Sequence, residues 1–112
     1  KLLPKTIKNR ILETPYKNDR KNGIEKYYEE NGKIHEWSYQ NGKANGIHKM
    51  YYASGNIMIE TTYKNDRKNG ITKWYFESGK LAGTANYKNG TLKGYKKCTD
   101  GRMGNEHLDC LN

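Results

Sequence analysis

Residues 16–23 read YKNDRKNG, and residues 63–70 read YKNDRKNG again. Two degenerate copies, YQNGKANG from Tyr39 to Gly46 and YKNGTLKG from Tyr87 to Gly94, place the closing glycine at 23, 46, 70 and 94, a period of 23 to 24 residues. A fixed period of this length marks a repeat architecture in which one supersecondary unit recurs. Each unit opens with a segment that aligns without gaps: GIEKYYEENG from Gly23, GIHKMYYASG from Gly46 and GITKWYFESG from Gly70. A second segment follows, with Ile34, Ile57 and Leu81 two residues past the turn glycine, and closes at Tyr39, Tyr63 and Tyr87. The stretch from Asn9 to Tyr16 reads as that second half, with Asn9 in the glycine place, so the array begins in mid-repeat.

Runs rich in Tyr, Ile, Thr and Trp, punctuated by Asn-Gly, Asn-Asp and Ser-Gly, are strands joined by tight turns. Each repeat is therefore one β-hairpin, and no segment has the longer 3.6-residue periodicity of a helix. The expected fold is all-β: a single-layer or weakly curved antiparallel β-meander of about eight to ten strands, growing by two strands per repeat. The array is expected over residues 1–97, with a half repeat at 9–22 and repeats at 23–45, 46–69 and 70–93, followed by a capping tail at 98–112. Two-residue turns at Asn65-Asp66 and Ser54-Gly55 set Ile59 opposite Thr72, Ile57 opposite Trp74, Tyr52 opposite Ile57, Met50 opposite Ile59 and Lys49 opposite Glu60. The first repeat is one residue shorter between Gly32 and Tyr39, and a three-residue loop, Asn31 to Lys33, keeps its register and puts Tyr27 opposite Trp37. One face then gathers Tyr27, Trp37, Met50, Tyr52, Ile57, Ile59, Trp74, Phe76 and Leu81, with His35 facing His48; the other carries Ile24, Lys26, Tyr28 and their counterparts.

Composition agrees with a thin sheet. Of 112 residues 33% are hydrophobic and 29% charged, with a mean hydropathy of -1.18, too little apolar material for a large core. The ten Tyr, two Trp and one Phe nevertheless separate the chain from disordered sequences, which are poor in such residues. Twenty-one basic against twelve acidic residues give a net charge of +9 and a pI near 9.5, which favours polyanions such as nucleic acid, acidic lipid or acidic glycan, although a solvated Lys-rich surface reads the same way. No apolar run approaches the ~18 residues of a membrane-spanning helix. The start Lys1-Leu2-Leu3, without Met, reads as a processed product or an excised domain.

The pattern Gly-x-x-x-x-Tyr-x-x-Asn/Ser-Gly-x-Ile/Leu, followed by a Tyr and a Gly-containing turn, resembles the bacterial variant of the MORN repeat, from about Asn9 to Gly94. Proteins with such repeats often carry an antitoxin label, and others look like exported or surface proteins. The resemblance implies an interaction scaffold with no catalytic motif to carry over, and related repeats are associated with membrane attachment and phosphoinositide lipids. The sequence departs from the pattern after Gly94, where GYKKCTDG shortens the hairpin and two Cys appear. The string WYFESGKLAG, residues 74–83, is also similar to choline-binding and glucan-binding cell-wall repeats, though their second Trp is absent.

Cys98 and Cys110 both lie in the divergent tail. Read as a disulfide, they staple that tail near the exposed last strand and favour an exported location, periplasmic, cell-surface or secreted; two free cytoplasmic thiols are the alternative. His35 and His48 are able to bind metal or titrate near pH 6, but read first as polar residues on a half-exposed face. No carboxylate pair, nucleophile with a placed base or phosphate-cradling loop is present, so neither enzyme activity, cofactor nor metal is expected. The inter-repeat turns line one edge with Lys17, Arg20, Lys21, Lys43, Lys64, Arg67, Lys68, Lys88 and Lys93 against Asp19 and Asp66. Two readings follow. One is a protein-binding scaffold using Tyr27, Trp37, Met50, Tyr52, Trp74 and Phe76, open to self-association through that face. The other is a binder of acidic lipid or glycan using the basic edge, with nucleic acid disfavoured because strands space the lysines apart.

Overall fold

The structure, a computed structural model, describes residues 9–112; the first eight residues of the expected array lie outside the described residues. The strands are β1 (Asn9–Glu13), β2 (Tyr16–Lys17), β3 (Arg20–Lys21), β4 (Gly23–Glu29), β5 (Ile34–Gln40), β6 (Lys43–Ala44), β7 (Gly46–Tyr51), β8 (Ile57–Lys64), β9 (Arg67–Tyr75), β10 (Leu81–Lys88), β11 (Thr91–Cys98) and β12 (Met103–Gly104). No helix occurs among the described residues. The main sheet follows the sequential order β1-β4-β5-β7-β8-β9-β10-β11-β12, with β6 beside β5 as its tenth strand and β2–β3 as a separate ribbon. All pairs are antiparallel. The chain is thus the expected all-β meander of tandem hairpins.

The repeated octapeptide forms the turns between repeats. At Asn18-Asp19, Asn41-Gly42, Asn65-Asp66 and Asn89-Gly90 both central residues have positive φ, for example 50° and 69° at Asn65 and Asp66. This is the type I′ geometry whose twist suits a two-residue hairpin, and Asn, Asp and Gly tolerate it best. Successive turns are hydrogen-bonded to one another: the N–H groups of Gly42, Asp66 and Gly90 donate to the carbonyls of Lys21, Ala44 and Lys68 at 2.8, 2.9 and 2.8 Å. The Asp66 carboxylate also accepts the Ala44 N–H at 2.7 Å. Asn22 and Asn69, the last Asn of each full octapeptide, accept the N–H of Asn41 and Asn89. One long edge is therefore a stacked row of turns.

The register moves by two residues from the one that the turn sets after Asn41-Gly42, Asn65-Asp66 and Asn89-Gly90. Tyr63 pairs with Lys68 as the turn dictates, but Thr61 then pairs with Thr72, so Ile59 meets Trp74 instead of Thr72. Tyr39 pairs with Ala44, but Glu36 then pairs with Lys49. The extra residues include Gly46 and Gly70, whose φ values of 115° and 119° L-residues rarely adopt, and a Cβ at Gly46 would lie 3.0 Å from Ser38 Cβ. The recurring glycine thus marks a bulge. A shift of two preserves every side chain's face, which is why the expected faces largely survive.

Within the repeats, all three loops have three residues: Glu30–Gly32, Ala53–Gly55 and Glu77–Gly79, closed by the N–H of Glu29, Tyr52 and Phe76 on the carbonyls of Lys33, Asn56 and Lys80. The first is not Asn31 to Lys33, and Tyr27 accordingly lies opposite His35 while Glu25 lies opposite Trp37. The length difference between repeats falls instead in β8 and β10. Tyr51 pairs with Ile57 but Met50 with Ile59, and Tyr75 pairs with Leu81 but Trp74 with Gly83, so Met58 and Ala82 are the additional residues. Ile57 and Leu81 therefore join Tyr51 and Tyr75 on the opposite face, contrary to the expected stripe. Lys49 opposite Glu60 and Met50 opposite Ile59 are as expected.

The exposed area is 7686 Å², against about 6,300 Å² for a globular chain of 13.0 kDa. The excess reflects a sheet with no second layer of strands or helices among the described residues.

Candidate functional site

Alternation on β4, β5, β7 and β8 brings a run of rings onto one face. Tyr27 stacks on His35 with centroids 4.4 Å apart and planes 4° from parallel. His35 is followed by His48 at 5.4 Å, His48 stacks on Trp37 at 3.8 Å, and the edge of Tyr63 meets Trp37 at 5.0 Å. The two His are buried, at 6% and 8% exposure, instead of tolerated on a half-exposed surface. His35 pairs in register with Met50, yet its Nδ1 still reaches His48 Nε2 diagonally at 3.2 Å. The Glu29 carboxylate, 2.5 Å from His35 Nε2, fixes that nitrogen as a donor. Burial, the neighbouring His35 and then Lys68 push His48 from 6.5 down to about 4. The Glu29–His35–His48 chain ends against the Trp37 ring, and its effect is to lock the ring order.

The C-terminal half of the same face is covered. Lys96, 5% exposed, holds its Nζ 3.8 Å from the Trp74 ring centroid, and burial keeps its ammonium below the ordinary amine range. Ala82, Cys98 and Cys110 form a small core against Trp74, Leu108 and Leu111. Cys98 and Cys110 are joined as a disulfide with Cα atoms 5.2 Å apart. A Cβ at Gly83 would fall 2.6 Å from Cys110 Sγ, so the tail rests directly on β10. The tail is stapled beside the last strand as expected, but Leu108, Cys110 and Leu111 lie over the face instead of at the exposed edge. Only Met103 and Gly104 pair there, with Lys97 and Lys96, after which the chain folds over the aromatic face.

The expected stripe is consequently divided. Tyr27, Trp37 and Met50 belong to its open half, with Ile59 beside Met50. Trp74 lies beneath the tail. Tyr52 sits at the loop end, its hydroxyl donating to the Tyr75 carbonyl at 2.7 Å, and Phe76 is exposed at the next loop.

The basic edge is divided too. Lys17, Arg20, Lys43, Lys64, Arg67 and Lys88 are exposed along the row of turns. Lys21 and Lys68 are half-buried over the rings of Tyr39 and Tyr87, at 4.9 and 4.8 Å. Lys21 also pairs with buried Glu25 at 3.0 Å, which raises its pKa, and Glu25 accepts the Thr14 hydroxyl at 2.9 Å. Lys93 pairs with Asn86 and lines a groove on the opposite face with Lys73 and Lys97, away from the edge row. Glu25, Glu29, Gly83 and Lys96 were missed in the sequence. Gly83 carried a signal, because it stands where the preceding repeat has Ile59.

The sequence model of a family described as the MORN repeat variant matches residues 21–41, 44–65 and 68–89, three consecutive stretches. Each stretch holds the two strands of one hairpin and ends in the next inter-repeat turn. A comparison with curated proteins finds no match.

Proposed function

The chain belongs to the MORN repeat variant family, whose repeats serve membrane or protein interactions, and on that premise we propose that it is a non-enzymatic scaffold that docks another protein on the open half of its aromatic face. The observation that carries the reading is the run Tyr27, His35, His48, Trp37 and Tyr63, held rigid by stacking and by Glu29, on a face that the tail covers only at its other end. Prearranged aromatic rings supply contact area at low entropic cost and are the residues that most often dominate interfaces. The Cys98–Cys110 disulfide supports an exported, oxidising location.

A second reading, a binder of acidic lipid or glycan, is favoured by the stacked turns, which align exposed Lys17, Arg20, Lys43, Lys64, Arg67 and Lys88 in one row. Salt separates the two. Retention of a partner by immobilised protein should survive physiological ionic strength and fall on Tyr27→Ser, which removes the ring stacked on His35, and on Phe76→Ala, whose ring is exposed. Retention that collapses with salt and ignores both substitutions would support the edge instead.

A further inference from the structure

The face opposite the rings repeats its own chemistry. Each hairpin contributes one Ile just after the bulge glycine, Ile24, Ile47 and Ile71, all exposed, and a Lys two residues later, Lys26, Lys49 and Lys73. Between the lysines stand Glu36, in register with Lys26 and Lys49, and Glu60, in register with Lys49 and Lys73. Tyr51 and Tyr75 donate their hydroxyls to these same carboxylates. Along the three repeats the ladder thus alternates in sign, with a Glu between each pair of successive Lys.

The alternation breaks at one place. On β10 the position of Glu36 and Glu60 is Thr84, in register with Lys73 and Lys97. On β11 the position of Asn22, Asn45 and Asn69 is Lys93, and that of the three exposed Ile is Tyr95. These three departures lie on the adjacent strands β10 and β11 and border a single groove of about 220 Å³ lined by Lys73, Thr84, Asn86, Lys93, Tyr95 and Lys97. The corresponding positions one repeat earlier, Lys49, Glu60, Asn69 and Lys73, carry one net positive charge, whereas Lys73, Thr84, Lys93 and Lys97 carry three. No ion pair within 4.0 Å engages Lys73, Lys93 or Lys97 among the described residues.

We propose that this groove is an oxyanion site for a dianionic phosphate group. Three ammonium groups act as point charges on a phosphate, and the Thr84 and Tyr95 hydroxyls and the Asn86 amide add neutral donors suited to its several oxygens. The site lies on the face opposite the rings and away from the row of turns, so it stands independently of either reading above.

The test is a titration of the full chain followed by backbone amide NMR at fixed ionic strength, with inorganic phosphate, O-phosphoserine and, separately, phosphatidylcholine vesicles containing phosphatidic acid. Thr84→Glu restores the pattern of the earlier repeats and so keeps the fold. Its added carboxylate should weaken phosphate binding by about tenfold, the repulsion expected roughly 5 Å from a dianion in water. Saturable shifts at Lys73, Thr84, Lys93 and Lys97 with inorganic phosphate and O-phosphoserine support a site for the free group. Saturation only by the vesicles, lost in Thr84→Glu, supports the same group carried by a lipid. Equal responses of wild type and Thr84→Glu, or no saturation with any of the three, would overturn the proposal.

Discussion

Acidification should loosen this fold through one residue. The neutral His48 ring is stacked on Trp37 at 3.8 Å and is 8% exposed. Thr61 stands opposite it, His35 touches it, and Lys68 adds positive charge nearby. In the unfolded chain His48 takes up its proton near pH 6.5, and in the fold only near 4. Between those values the unfolded state binds more protons, so the contribution is fully present above about pH 6.5 and is lost as pH falls. Linkage puts the loss at about 2 kcal/mol between pH 8 and pH 5, or about 10 °C in Tm for a domain of this size. Urea and thermal unfolding at pH 8, 6.5 and 5 measure it. His48→Gln keeps a polar partner for His35 and cannot titrate, so its stability should stay nearly flat over the same range. An equal acid-induced loss in His48→Gln, or none in the wild type above pH 5, would refute the assignment.

Gly46→Ala should cost about 2–3 kcal/mol in urea unfolding, because the Cβ meets Ser38 at a φ of 115°, whereas Gly94→Ala, with open space at φ 71°, should cost about 1. Thr72→Val should leave stability unchanged or raise it by about 1 kcal/mol, since the Thr72 hydroxyl oxygen is buried without a partner among the described residues. Reducing Cys98–Cys110, a separation of 12 residues, should remove about 3 kcal/mol from the C-terminal end in the chain-entropy estimate. It should also red-shift Trp74 fluorescence, while amide exchange in β4 to β8 stays protected because each repeat contacts only its neighbours.

The hairpins were legible because Asn-Gly and Asn-Asp at a fixed period leave few alternatives, and the faces were legible because alternation tolerates shifts of two. The register was not. The sequence shows a glycine at 46 and 70 but not that its φ adds two residues to one strand, and the missing residue of the first repeat reads as a loop difference when it is a bulge difference at Met58 and Ala82. His35 and His48 were found as neighbours from a register that was itself displaced, and the contact survives because the rings reach diagonally. The tail was half legible. Its Cys pair is local, but its path over the face is written elsewhere: Met58, Ile59 and Thr61 become Ala82, Gly83 and Ala85 in the last repeat, and the lost volume is where Cys110 and Leu108 rest. Side-chain volume compared column by column carries that information, whereas hydropathy does not.

The open aromatic half is tested most directly by photocrosslinking in the native cell, with a photoreactive phenylalanine analogue placed at Tyr27 in one variant and at Lys17, on the row of turns, in another. The account predicts one protein captured from Tyr27, in the cell and again when a lysate is brought to raised salt before irradiation, and nothing specific captured from Lys17. Capture from Lys17 alone, or capture at Tyr27 that fails when salt is raised before irradiation, would contradict it.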